Sequence, residues 1–171
     1  ITQYIVANYG HLQRLGAKLP DVSMKQMIGR AIKYIDDEIA EIYKFQKKYG
    51  QVSLGYTQIY YLYCRSFFLQ SNPLSKSEKA IYDTYMKLSK KLWTEQSFYM
   101  QGMIALSMQR SGEVKAAQDI ANSLKEYAQH SDELGMYWNF ERGYFWYNAG
   151  IETQALLIEL FTELGDNESV R

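Results

Sequence analysis

Four carboxylates crowd one stretch of this 171-residue chain: Asp36, Asp37, Glu38 and Glu41. Two carboxyl groups roughly 5–10 Å apart are the working parts of most glycosidases, one serving as acid and the other as base or nucleophile. Spacing offers them a plainer use. Lys33 and Asp37 are four positions apart, as are Asp37 and Glu41, so the group reads as one solvated helix face carrying an ion pair. Metal chemistry has less to draw on. His11, His130 and the single cysteine, Cys64, fall in three separate segments, whereas structural zinc normally takes about four ligands at recognisable spacing. Cys64 lies between Tyr63 and Arg65 in an apolar run and is expected to be a small buried hydrophobe; only an exposed position would let Arg65 activate it. Lys87, Lys90 and Lys91 read as surface charge. No Gly-rich phosphate loop, Gly-x-Ser-x-Gly elbow or His-Glu-x-x-His pair occurs. The expectation is a non-enzyme with no catalytic residue, no metal site and no cofactor.

One stretch has the side chains for binding. Between Gly135 and Asn148 stand Trp138, Phe140, Tyr144, Phe145, Trp146 and Tyr147. Such a cluster stacks on sugars, bases or prenyl chains, or else folds over the end of a helical layer and seals it, each indole or phenol keeping a polar partner. Base stacking usually brings basic flanks, and only Arg142 is near, so sealing is the favoured use. Trp138, Phe140, Arg142, Tyr144 and Trp146 are the residues through which this loop would meet a partner.

The elements that must position these groups are helices. Only two prolines are present, Pro20 and Pro73, and both fall between periodic segments. The spacing predicts helices over about 2–15, with Ile5, Val6, Tyr9 and Leu12 inward and Gly16 as cap, and over 24–48, with Met24, Met27, Ile28, Ala31, Ile32, Ile35, Ile39 and Ile42 as the apolar stripe. Lys44, Lys47 and Lys48 then suit the negative end of that second helix dipole. Segments 53–69 and 96–110 are apolar nearly all round and should be largely buried. Ser75 and Glu78 have capping-box spacing and open a helix reaching Leu92. Striped helices are expected at 113–130 and 152–164, the last stopped by Gly165. A soft echo, Gly112 to Ala117 and Gly150 to Ala155, suggests stacked hairpins. Alternation of striped and wholly apolar helices implies outer and inner sets, in either a superhelix or a closed ring.

Composition narrows the partners. Nineteen basic and nineteen acidic side chains cancel, removing the bulk attraction that sequence-independent binding to nucleic acid or anionic lipid draws on. The longest apolar runs fall far short of the roughly 20 residues of a membrane-spanning helix. The chain opens on Ile1 directly in helical periodicity, with neither an initiating Met nor a basic leader, as expected of a single helical domain, or the larger part of one, excised from a longer multidomain protein.

Three stretches carry a family resemblance: Ile1-Thr-Gln-Tyr-Ile-Val-Ala-Asn-Tyr-Gly-His-Leu-Gln-Arg-Leu-Gly16, Gly135-Met-Tyr-Trp138, and Gly150-Ile-Glu-Thr-Gln-Ala-Leu-Leu-Ile-Glu-Leu-Phe161. Together they resemble the thioester-type helical domain of bacterial alpha-2-macroglobulins, especially large envelope proteins of the Bacteroides group. The resemblance runs from the first helix to the last, and its motifs are packing motifs. It implies an all-α fold, an alpha/alpha toroid or partial ring of about seven main helices alternating inner and outer. It also implies a non-catalytic structural domain of a protease-trapping inhibitor in the periplasm, cell envelope or extracellular space. Other domains of the same chain would be its partners, and target proteases would be met through the full-length protein. The family's reactive motif is Cys-x-Glu-Gln, whereas Cys64 is followed by Arg65-Ser-Phe67, so no thioester role transfers to it. In members that have the motif it lies upstream of the stretch resembling residues 1–16. Two other classes compete: a fragment of a carbohydrate-active alpha/alpha toroid enzyme, resting on the acidic cluster, and a tetratricopeptide-like protein-binding module, which the uneven repeat intervals disfavour.

Overall fold

The computed structural model of the chain describes residues 1–17, 22–133, 135–139 and 150–170. Among these, seven α-helices, one 3₁₀ turn and one two-stranded hairpin account for the regular structure, so the fold is all-α. Packing divides the chain into two compact units, Ile1–Ser89 and Lys90–Arg171.

The first unit holds α1 (Thr2–Arg14), α2 (Val22–Lys48), α3 (Tyr56–Ser66) and most of α4 (Lys76–Leu92). Helix α1 ends as expected at Gly16, whose φ of +82° suits a residue without Cβ. There the Ala17 amide donates to Leu12 O and the Gly16 amide to Gln13 O, a Schellman closure that satisfies two terminal carbonyls. Its buried face is the expected one at Val6 and Tyr9 but not at Ile5 and Leu12. Val6, Ala7, Tyr9 and Gly10 are buried, while Ile5 and Leu12 remain 49% and 47% exposed. The reason is backbone proximity: a Cβ on Gly10 would stand 2.6 Å from Phe67 Cβ, so α1 approaches the end of α3 through its one side-chain-free position.

In α2 the isoleucines Ile28, Ile32, Ile35 and Ile39 form the buried stripe, and Met27 turns outward. Helix α3 is shorter than its apolar run. It begins after extended Gly55, whose amide donates to Gln58 Oε1 at 3.0 Å, and every residue from Gln58 to Ser66 is buried. The chain then turns because Arg65 Nη2 donates to Asn72 O at 2.8 Å, drawing residues 67–72 back against the helix end. The capping box is present at the start of α4: the Ser75 amide donates to Glu78 Oε2 at 2.7 Å and the Glu78 amide to Ser75 Oγ at 3.4 Å. Tyr82, Tyr85 and Ser89 form its single buried stripe.

The second unit continues through a 3₁₀ turn (Trp93–Glu95), α5 (Phe98–Arg110), α6 (Val114–Glu126), β1 (Gln129–Ser131), β2 (Gly135–Tyr137) and α7 (Gly150–Leu164). Ser97 caps α5, and every residue from Gln101 to Met108 is buried. Helix α6 buries Ala117, Ile120, Ala121 and Leu124 on one side. It stops at Glu126, four residues before the expected end, because the chain turns into the antiparallel pair Gln129↔Tyr137, His130↔Met136 and Ser131↔Gly135. Ser and Asp favour the turn between those strands and aromatic residues favour the strand, so His130 is paired rather than helical. Gly112 and Gly150 each introduce a helix, α6 and α7, but Ala117 is buried and Ala155 exposed, so the two alanines do not share a packing role. Helix α7 ends at Gly165 with the same closure as α1, Asp166 donating to Phe161 O at 2.9 Å. The alternation of one-sided helices (α2, α4, α6) with helices buried all round (α3, α5) thus stands, helix by helix.

Candidate functional site

The acidic cluster separates once folded. Asp37, Glu38 and Glu41 face solvent, with Lys33 reaching both Asp37 and Glu78. Asp36 does not belong to that face: it is 4% exposed, a correction to the solvated-face reading. Tyr61 donates to its Oδ1 at 2.7 Å, and Arg65 Nε lies 3.0 Å from the same oxygen. Burial pushes the Asp36 carboxyl above its ordinary range, opposed by the Arg65 charge and the Tyr61 hydrogen bond. Burial, then the neighbouring Asp36 charge, pushes the Tyr61 phenol up as well. A pair of cooperating glycosidase carboxylates would face one cleft; Asp36 is inside and Asp37 outside. Cys64, next to Arg65, is buried as expected, and burial holds its thiol in the protonated form.

The second unit has its own buried charge cluster. Arg110, on α5, bridges α7 by pairing with Glu159 Oε1 at 2.5 Å and Glu163 Oε1 at 2.6 Å. Spacing from 110 to 159 and 163 gave no hint of it, because pairs so distant in sequence meet only through tertiary packing.

The aromatic stretch is described only at its start. Trp138 is 4% exposed; its Nε1 donates to Leu124 O at 2.8 Å and its ring stacks on Phe161 at 6.1 Å and 8°. That indole ties the hairpin to α6 and α7 with its polar atom satisfied. Phe140, Arg142, Tyr144 and Trp146, with Phe145 and Tyr147, lie outside the described residues. Gln154 Nε2 donates to Met136 O at 2.9 Å, so α7 also holds β2 directly.

Beside the hairpin is a cavity of about 470 Å³, lined in part by Lys125, His130, Ser131, Asp132, Glu168 and Ser169. Two of those lining residues, Lys125 and Ser169, converge on Asp166. Lys125 Nζ sits 2.8 Å from Asp166 Oδ2, and Ser169 donates its hydroxyl to that oxygen at 2.8 Å. The Lys125 hydrogen bond, with those of Ser169, holds the Asp166 carboxyl below the usual range. This arrangement fastens the chain after α7 to α6; a hydroxyl donating to a carboxylate whose charge is answered by lysine is not an activated nucleophile. No group of three or more potential metal ligands occurs among the described residues, and no described helix is long and apolar enough to cross a membrane. Lys87 and Lys91 are exposed and Lys90 pairs with Glu113 at 2.8 Å, all as surface charge.

No protein-family model, no curated protein and no solved structure matches this chain.

Proposed function

We propose that this chain is a non-catalytic structural domain of a bacterial alpha-2-macroglobulin-like protease inhibitor, acting in protease trapping at the cell envelope. The observation that carries the reading is the set of three stretches, residues 1–16, 135–138 and 150–161, that resemble the helical domain of that family. Each of them supplies packing. Gly10 admits the end of α3 against α1, Trp138 ties the hairpin to α6 and α7, and Leu156, Leu157, Leu160 and Phe161 are the buried face of α7. The alternation of one-sided and wholly buried helices supports an alpha/alpha toroid, with inner and outer helices in turn, as the arrangement in the intact protein. In this reading the chain moves as a folded lobe when bait cleavage rearranges the inhibitor, and its partners are the neighbouring domains.

A trapping assay on the intact protein that contains this chain tests the proposal. An endopeptidase incubated with it should keep its activity on small chromogenic peptides while losing activity on large protein substrates. Equal activity on both, or an intact sequence without a bait region and macroglobulin-type β-domains, would sink the idea.

A further inference from the structure

The charge balance of the whole chain conceals a local imbalance. From residue 42 to residue 77 there is no Asp or Glu, while Lys44, Lys47, Lys48, Arg65 and Lys76 all fall within that span. Arg65 is buried, which leaves the C-terminal tip of α2 as the dense exposed part. Two large aromatic side chains share that tip: Phe45 is 64% and Tyr49 66% exposed, with ring centroids 4.6 Å apart. Lys48 Nζ stands 5.6 Å from the Tyr49 ring centre and Lys47 Nζ 5.5 Å from that of Tyr43. Glu41 answers the charge of Lys44 at 2.6 Å, whereas among the described residues no carboxylate pairs with Lys47 or Lys48. The helix dipole accounts for lysines at a C-terminus. It does not account for two neighbouring aromatic rings left in water.

We propose that the C-terminal tip of α2 is a peripheral contact for an anionic lipid surface. Aromatic rings settle at headgroup depth, where an apolar body and a polar edge are both satisfied. Lysine stems lie along such a surface while their ammonium groups reach the phosphates, and the basic charge complements acidic headgroups. A single-stranded nucleic acid is the weaker fit, because stacking sites for it run along a groove whose basic groups track the backbone over several nucleotides. Two adjacent lysines at a helix end do not extend that far.

Co-sedimentation of the 171-residue chain with vesicles decides between these, comparing phosphatidylcholine alone with phosphatidylcholine containing one quarter phosphatidylglycerol. The chain should pellet with the acidic vesicles and be released in about 1 M salt, where the Debye length shrinks to about 3 Å. Each lysine near such a surface is worth about five-fold in binding, so Lys47→Gln with Lys48→Gln should weaken it about thirty-fold. Phe45→Ser with Tyr49→Ser should also release it, and unchanged circular dichroism would show that these exposed changes leave the helix folded. Indifference to both vesicle types, equal binding to both, or retention by both double variants would overturn the proposal. Capture of an oligothymidylate in place of vesicles would also overturn it, assigning the tip to nucleic acid.

Discussion

Asp36 shows how one side chain changes meaning on folding. Its carboxylate accepts the Tyr61 hydroxyl and is the counter-ion of Arg65, so removing its charge leaves a guanidinium buried with no opposite charge beside it. Asp36→Asn should therefore lower stability by about 3–5 kcal/mol, measured by urea unfolding. Replacing both partners, Asp36→Leu with Arg65→Met, should recover most of that loss, since apolar groups of similar volume often match a buried ion pair. A double variant no more stable than Asp36→Asn would show that Arg65 matters chiefly through its bond to Asn72. Trp138 is the corresponding residue of the second unit. Trp138→Ala removes a stacked ring and leaves Leu124 O without its indole donor, so a cost of about 3–5 kcal/mol is expected, with Trp138→Phe costing less. If Trp138→Ala unfolds at the same urea concentration as the parent, the indole does not seal the second unit.

Two glycines separate packing from propensity at the level of the helix. Gly10 faces Phe67 and Phe68, and Gly10→Ala would force α1 and α3 apart at a cost of about 1–3 kcal/mol. Gly29 lies inside α2, and a methyl added there would meet nothing within 4 Å, so Gly29→Ala should stabilise by about 0.4–1 kcal/mol. Thermal melting of the two variants should move the midpoint in opposite directions; a fall in both would mean that another segment packs closely against α2 at position 29. The capping box of α4 and the closures at Gly16 and Gly165 belong to this scale too, each satisfying terminal backbone groups that would otherwise depend on water.

Across the molecule, acidity acts on both units. Burial alone would raise the Glu78 carboxyl, but hydrogen bonds from Ser75 and Lys33 outweigh it and hold it low; Asp166 is held low by Lys125 and Ser169. A carboxylate lowered by folding contributes stability that is present above its unfolded value, about 4, and lost as pH falls through the folded one. Asp36 runs the other way: raised by burial, it favours the unfolded chain as pH climbs past about 4 through its folded value. Chemical denaturation from about pH 6 down to about pH 3 should show a net loss of stability, flattened by Asp166→Asn and steepened by Asp36→Leu with Arg65→Met. An acid limb unchanged by Asp166→Asn would place its origin elsewhere.

Much of this architecture was legible in the residues. Helix content followed from periodicity and from the positions of Pro20 and Pro73, and the capping box and terminal glycines are local signals whose partners lie within a few positions. The apolar runs at 53–69 and 96–110 announced all-round burial because a helix with no polar face has nowhere to put one. Other features were decided by tertiary structure. Asp36 looks like Asp37 until α3 supplies Tyr61 and Arg65, and Arg110 looks like a surface charge until α7 supplies two carboxylates. The face that α1 buries depends on where Gly10 lets another backbone come close, and the early end of α6 depends on residues 129–131 finding their strand partners at 135–137. Local spacing specifies which hydrogen bonds a segment satisfies by itself; which charges are buried, and against what, is settled only when distant segments remove the water between them.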